Sequence, residues 1–214
     1  MRLSLEPVQS ILCLGAHSDD IEIGCGGTIL SLLERNPELK MDWVVFSAAG
    51  KRGEEARASF EAWIGSAPNC NLHLFDFEDT LFPIQLAKLK RTLSDLSKII
   101  EPDLIFTHRL EDAHQDHRTV AEITWNAFRN HWILEYEIPK YEGDLGRPNV
   151  YIPLSTSVAE QKLSLLMREF ESQQTKPWFA RQTFQSLLNL RSIECRAESG
   201  YAEAFHCRKQ VFAI

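Results

Sequence analysis

Residues able to do chemistry crowd into two short stretches, "AHSDDIE" at 16–22 and "HQDH" at 114–117. In the first, His17 is followed by Ser18 and two adjacent carboxylates, Asp19 and Asp20, with Glu22 close behind. Neighbouring like charges repel unless something positive lies between them, and a divalent cation would remove that repulsion. Zinc in hydrolytic sites takes imidazole nitrogen and carboxylate oxygen from three protein ligands and keeps a fourth position open. His17, Asp20 and His117 can supply two nitrogens and one oxygen. One carboxylate of the adjacent pair would bind the metal, and the other stays free beside it, where a general base belongs. His114 and Asp116 read as an imidazole fixed by a carboxylate, kept protonated so that it can donate to developing negative charge. Either stretch alone is ambiguous, since an HxxD after a strand is more often a helix cap plus a surface histidine. The two together, each at an expected strand end, favour a metal centre.

Elements that position these stretches are legible from periodicity. "ILCLGA" (11–16), "MDWVVFSA" (41–48), "NLHLFDF" (71–77) and "DLIFTH" (103–108) read as strands. Helices are predicted from "GGTILSLLERN", "EEARASFEAWI", residues 84–100 and residues 118–132. Strand alternating with helix gives an α/β fold: a Rossmann-like, doubly wound, mostly parallel sheet covered on both faces. In the usual order, strands one and four are neighbours and open a crevice at their carboxyl ends, where both clusters would meet. Gly24, Gly26 and Gly27 do not match GxGxxG and are read as allowing close backbone approach. After about residue 134 the alternation breaks at Pro139, Gly143, Gly146, Pro148 and Pro153, and helical stretches follow at 157–172 and 178–195. The expectation is one domain over 1–214, with a core at about 8–133 and a helical and irregular appendage at about 134–214.

Composition narrows the function classes. The 214 residues are 44% hydrophobic and 25% charged, as in an ordinary soluble domain, and the net charge is −7. A nucleic-acid or anionic-membrane binder would need a basic footprint. No apolar run approaches the roughly 20 residues of a membrane span. The first apolar run leads into carboxylates, not a small-residue cleavage site, and is read as a strand rather than a signal peptide. Five scattered cysteines without a CxxC pair fit a reducing cytoplasm.

The two clusters resemble the motifs of the LmbE-like, or PIG-L-type, zinc-dependent deacetylase family. "AHSDDIE" (16–22) is similar to AHPDDxE, and "HQDH" (114–117) to HPDH, with Ser18 and Gln115 where proline is usual. "FESQ" (170–173) and "GYAEAF" (200–205) are also similar to family segments. The resemblance implies the doubly wound fold and removal of an acetyl group from an N-acetylglucosamine-type substrate. It implies His17, Asp20 and His117 as zinc ligands, Asp19 as general base, His114 as oxyanion-stabilising imidazole and Asp116 as its orienting partner. In relatives an arginine of an RxxEA segment contacts substrate, and Arg57 in "ARASFEA" is assigned to that position. The expected cofactor is Zn2+ or another divalent metal, and the expected partner a small-molecule amino-sugar conjugate, in a homo-oligomer. The competing readings are a repurposed module that binds a sugar or nucleotide without turnover, and a metal hydrolase of a non-sugar amide.

Overall fold

The structure, a computed structural model, describes residues 8–211; positions 1–7 and 212–214, included in the expected domain, lie outside the described residues. Strand β1 (Ser10–His17) is buried along its whole apolar run. It leads into α1 (Asp20–Arg35), β2 (Lys40–Ser47), α2 (Gly50–Ile64), β3 (Cys70–Leu74), α3 (Leu86–Leu96), β4 (Leu104–Thr107) and α4 (Gln115–Ala127). Then come β5 (Trp132–Tyr136), β6 (Val150–Pro153), α5 (Thr156–Glu169), α6 (Arg181–Cys195) and β7 (Ala202–His206). The seven strands form one sheet in the order β3-β2-β1-β4-β5-β7-β6. The first five are mutually parallel, whereas β7 runs antiparallel to both β5 and β6.

Because side chains alternate across a strand, the sheet feeds two cores. Ile11, Cys13, Trp43, Val45 and Phe106 pack on one face, and Leu12, Leu14, Val44, Phe46 and Ile105 on the other. Strands β1 and β4 pair directly, so the expected crevice lies where β1 enters α1 and β4 leads toward α4.

Several boundaries differ from expectation, β3 ending at Leu74 and α3 at Leu96 among them. Helix α1 begins at Asp20, not at the glycines, so the acidic pair sits on the helix start. Helix α4 begins at Gln115 and ends at Ala127, and Trp132 opens β5. Strand β5 also straddles the expected core boundary, and the following residues contribute β6 and β7 to the same sheet, completing it rather than hanging from it. The stretch was hard to read as strand because Glu135 is fully buried, taking hydrogen bonds from Trp125 Nε1 (2.7 Å) and Arg208 Nε (2.5 Å).

The later strands also hold α1. Its Gly27 and Thr28 N–H groups donate to Glu203 of β7 at 2.8 and 2.7 Å. Lys162 of α5 donates to Ile23 O (2.6 Å) and to Glu203 (2.5 Å), and the pair is almost fully buried. Gly24 permits close packing as expected: a Cβ there would stand 2.3 Å from the Tyr136 ring.

Candidate active site

His17 ends β1, Asp19 and Asp20 enter α1, and His114 and His117 come from the start of α4. His17 Nδ1 lies 3.2 Å from His117 Nε2 and 3.3 Å from Asp20 Oδ2, and His117 Nε2 lies 3.4 Å from Asp20 Oδ1. Zinc bonds of about 2.0–2.1 Å in a tetrahedron would set ligand atoms about 3.3–3.4 Å apart. The two imidazole nitrogens have that spacing, while Asp20 turns a different oxygen to each, Oδ2 to His17 and Oδ1 to His117. Among the described residues, sets whose ligand atoms all lie within 4.8 Å of one another include His17, His114 and His117, and Asp20, His108 and His117, so His117 is common to both.

Carboxylates stand behind both imidazoles. His17 Nε2 is 2.9 Å from Asp79 Oδ1 and 3.3 Å from Asp116 Oδ2, while His117 Nδ1 is 3.0 Å from Asp112 Oδ2. Such partners fix the proton on the outer nitrogen and leave the inner lone pair for a metal. Lys140 in turn bonds Asp112 at 3.1 Å. Asp20 is anchored by the His17 N–H at 2.6 Å. Burial opposes its ionisation, but His117, His108 and His17 hold it well below the ordinary carboxylate range. Burial likewise opposes protonation of His17, yet Asp20, Asp116 and Asp79 raise its pKa well above that of an ordinary histidine.

Asp116 does not orient His114 as expected. Its carboxylate accepts the N–H of Thr80 at 2.6 Å and of Phe82 at 3.1 Å, and reaches His17. The loop after β3 thus lies over the start of α4 and claims it. Only the Asp116 backbone N–H meets His114, donating to Nδ1 at 3.3 Å. With Nδ1 accepting, the neutral ring carries its proton on Nε2. Nor is His114 kept protonated: burial, His117 and His17 push its pKa below the ordinary value. It can donate as a neutral imidazole.

Asp19 is only 6% exposed in its side chain and is gripped through Oδ1 by Arg52 Nη2 at 2.6 Å. Among the described residues no hydrogen bond reaches its Oδ2. Arg57, the expected substrate contact, is instead exposed on α2 beside Glu54, Glu61 and Asp76. Arg52 occupies the site in its stead, and the spacing could have shown it. "RGEEA" (52–56) satisfies RxxEA, with two residues between Arg52 and Glu55, whereas three separate Arg57 from Glu61. Neither Asp79 nor Asp112 stands in a motif that marks it, yet each backs one of the two imidazoles. His108, just after β4, is fully buried, stacks on His117 with ring centres 3.9 Å apart and lies 3.1 Å from Asp20.

A family model described as PIG-L, GlcNAc-PI de-N-acetylase, matches residues 12–128. The chain is 30% identical over 142 residues to the uncharacterized deacetylase YaiS of Escherichia coli K12, covering 61% of this chain and 75% of that protein. The N,N'-diacetylchitobiose deacetylase of Pyrococcus horikoshii superimposes with a TM-score of 0.74 at 17% identity, over 94% of this chain and 84% of that one. GalB, the 4-carboxy-2-hydroxymuconate hydratase of Pseudomonas putida KT2440, superimposes with a TM-score of 0.75 at 18% identity, over 96% and 98%. At such identities the superpositions establish a shared fold, and a fold alone does not choose a reaction.

Proposed function

Since this chain belongs to the PIG-L, or LmbE-like, deacetylase family of amide hydrolases, we propose that it removes the acetyl group from an N-acetylglucosamine-type amino sugar, with His17, Asp20 and His117 holding zinc. The observation that carries the reading is the 3.2 Å approach of His17 Nδ1 to His117 Nε2, with one Asp20 oxygen facing each ring and Asp19 left outside. A divalent cation bound there would polarise the amide carbonyl and acidify a water molecule.

The chain's own groups divide the remaining work. Asp19 takes the proton of the attacking water and returns it to the amide nitrogen, so that the amine leaves neutral while the acyl carbon keeps the water oxygen. His114 offers its Nε2–H to the carbonyl oxygen as charge gathers there. Arg52 holds Asp19 by one oxygen and leaves the other for the proton. Asp116, Asp79 and Asp112 keep the two ligand histidines in the right tautomer.

Acetate release from a panel of N-acetyl sugars, with metal content measured on the same protein, tests the proposal. Turnover of at least one sugar, abolished by chelation and restored by zinc, is expected. Metal binding with no turnover of any panel member would favour a non-sugar amide or a module without turnover. The hydratase on the same fold shows that the fold also carries reactions other than amide hydrolysis. Among the described residues no helix is long and apolar enough to cross a membrane.

A further inference from the structure

The segment Phe170–Gln173, which follows α5, reaches back to the start of α2 and meets Glu55. The Ser172 N–H donates to Glu55 Oε1 at 2.9 Å, and the Ser172 hydroxyl donates to Oε2 at 2.6 Å. Arg52 Nη1 reaches the same Oε2 at 3.0 Å and the Ser172 oxygen at 3.3 Å. The Phe170 ring lies 5.7 Å from the guanidinium carbon. On its other arm, Arg52 Nη2 holds Asp19. Burial opposes ionisation of Glu55, yet the Ser172 and Arg52 bonds keep it below the ordinary glutamate range.

A guanidinium is a rigid planar fork, so fixing one arm fixes the direction of the other. Arg52 joins two carboxylates that belong to different parts of the chain, one in the site and one outside it. Glu55 itself touches neither Asp19 nor the ligand trio in any contact described, and Ser172 is a further step away. Their influence on the site must pass through Arg52.

We propose that Glu55 and Ser172 are positioning residues for amide hydrolysis: they lock Arg52 so that it occupies Asp19 Oδ1 and leaves Oδ2 to exchange the proton. The inference rests on Asp19 being the proton acceptor. It gives the "FESQ" stretch a role in the reaction, although this stretch lies more than 110 residues from Arg52 and Glu55 in sequence, Arg52 and Ser172 being 120 apart. A simpler alternative is that the Glu55–Ser172 contact only ties the end of α5 to α2.

The test uses the full-length, metal-loaded protein and an N-acetyl sugar that it turns over, with kcat, KM, metal affinity and Tm measured together. Glu55→Gln should lower kcat about 10- to 100-fold, as misplacement of a reacting group by an ångström does, with KM and metal affinity within about twofold of the parent. Ser172→Ala, which keeps every charge, should lower kcat less and in the same pattern. In an Asp19→Asn background, Glu55→Gln should cost under about twofold more, because the group it positions has lost its function. A folded Glu55→Gln protein with parental kcat overturns the proposal. So does a kcat loss of undiminished size on top of Asp19→Asn, or a loss of stability and metal without a kcat effect, which is what a simple tie would give. If Glu55→Gln fails to fold, Ser172→Ala alone carries the same comparison. Parental turnover in Asp19→Asn itself would instead sink the assignment of Asp19, and is read independently of Glu55.

Discussion

Asp116→Asn separates two roles for one carboxylate. Asp116 is fully buried and accepts two backbone N–H groups, from Thr80 and Phe82, while standing 3.3 Å from His17 Nε2. An asparagine of the same shape has one acceptor oxygen. If that oxygen serves Thr80 and His17, which share Oδ2 in the parent, the amide NH2 confronts the Phe82 N–H and leaves a buried donor unsatisfied. Such a donor costs about 1–3 kcal/mol, so Tm should fall by about 2–12 °C for a chain of this size. Loss of a carboxylate behind a ligand imidazole typically weakens metal binding about 10- to 100-fold. The smaller figure is expected here, because Asp79 Oδ1 lies 2.9 Å from the same nitrogen and can replace it in part. Asp79→Asn added to Asp116→Asn should bring out the remainder. Competition against a chromophoric chelator reads the affinity, and melts with and without metal read the stability. Metal affinity within about twofold of the parent, with turnover alone collapsing, would place Asp116 behind His114 and refute the reasoning.

Other outcomes follow from single contacts. Arg52→Ala should lower turnover by at least about tenfold, while Arg57→Ala, on an exposed face, should change it by less than about twofold; steady-state kinetics of the two side by side reverse the assignment if Arg57 proves the costlier. Glu203→Leu leaves Lys162 as an unpaired buried charge and frees two N–H groups of α1, so it should destabilise by about 3–5 kcal/mol, read by urea unfolding. His206 is pushed down to about 4, first by burial and then by Arg109. A folded-state pKa below the unfolded one means the unfolded chain binds the extra proton first, so stability falls as pH drops from about 6.5 toward 4. His206→Gln should flatten that part of the unfolding profile, and an unchanged slope would show that His206 is not its source.

The parts that could be read in advance were those whose signal is local. Buried runs gave β1, β2 and β4 because both faces of these strands are covered, so apolar residues follow one another without interruption. The meeting of His17, Asp20 and His117 was legible because His17 and Asp20 lie three residues apart where β1 enters α1, and His117 on the first turn of the helix after β4. What failed was pairing across the sequence. Which carboxylate backs which imidazole depends on the loop that brings Thr80 and Phe82 onto Asp116, and nothing in "HQDH" announces that loop. Glu135 disguised β5, because a glutamate at full burial reads as surface until Trp125 and Arg208 are seen beside it. Arg52 is different in kind: its spacing to Glu55 and Ala56 is written in the sequence, and the spacing of Arg57 to Glu61 and Ala62 is one residue longer.

Strand β7 follows β6 in the chain yet pairs between β5 and β6. The outermost strand is therefore made before the strand that connects it to the sheet. Until residues 202–206 emerge and insert, β5 keeps an open edge, and β6 has no neighbour to pair with. An open edge is a template for pairing with other chains, and a growing chain holds it exposed through the synthesis of α5 and α6. The same insertion brings Glu203 to α1, so closing the sheet and gripping the helix that carries Asp20 are one event. Translation speed between β6 and β7, and chaperones that shield strand edges, should thus govern how much of the newly made protein reaches the closed sheet.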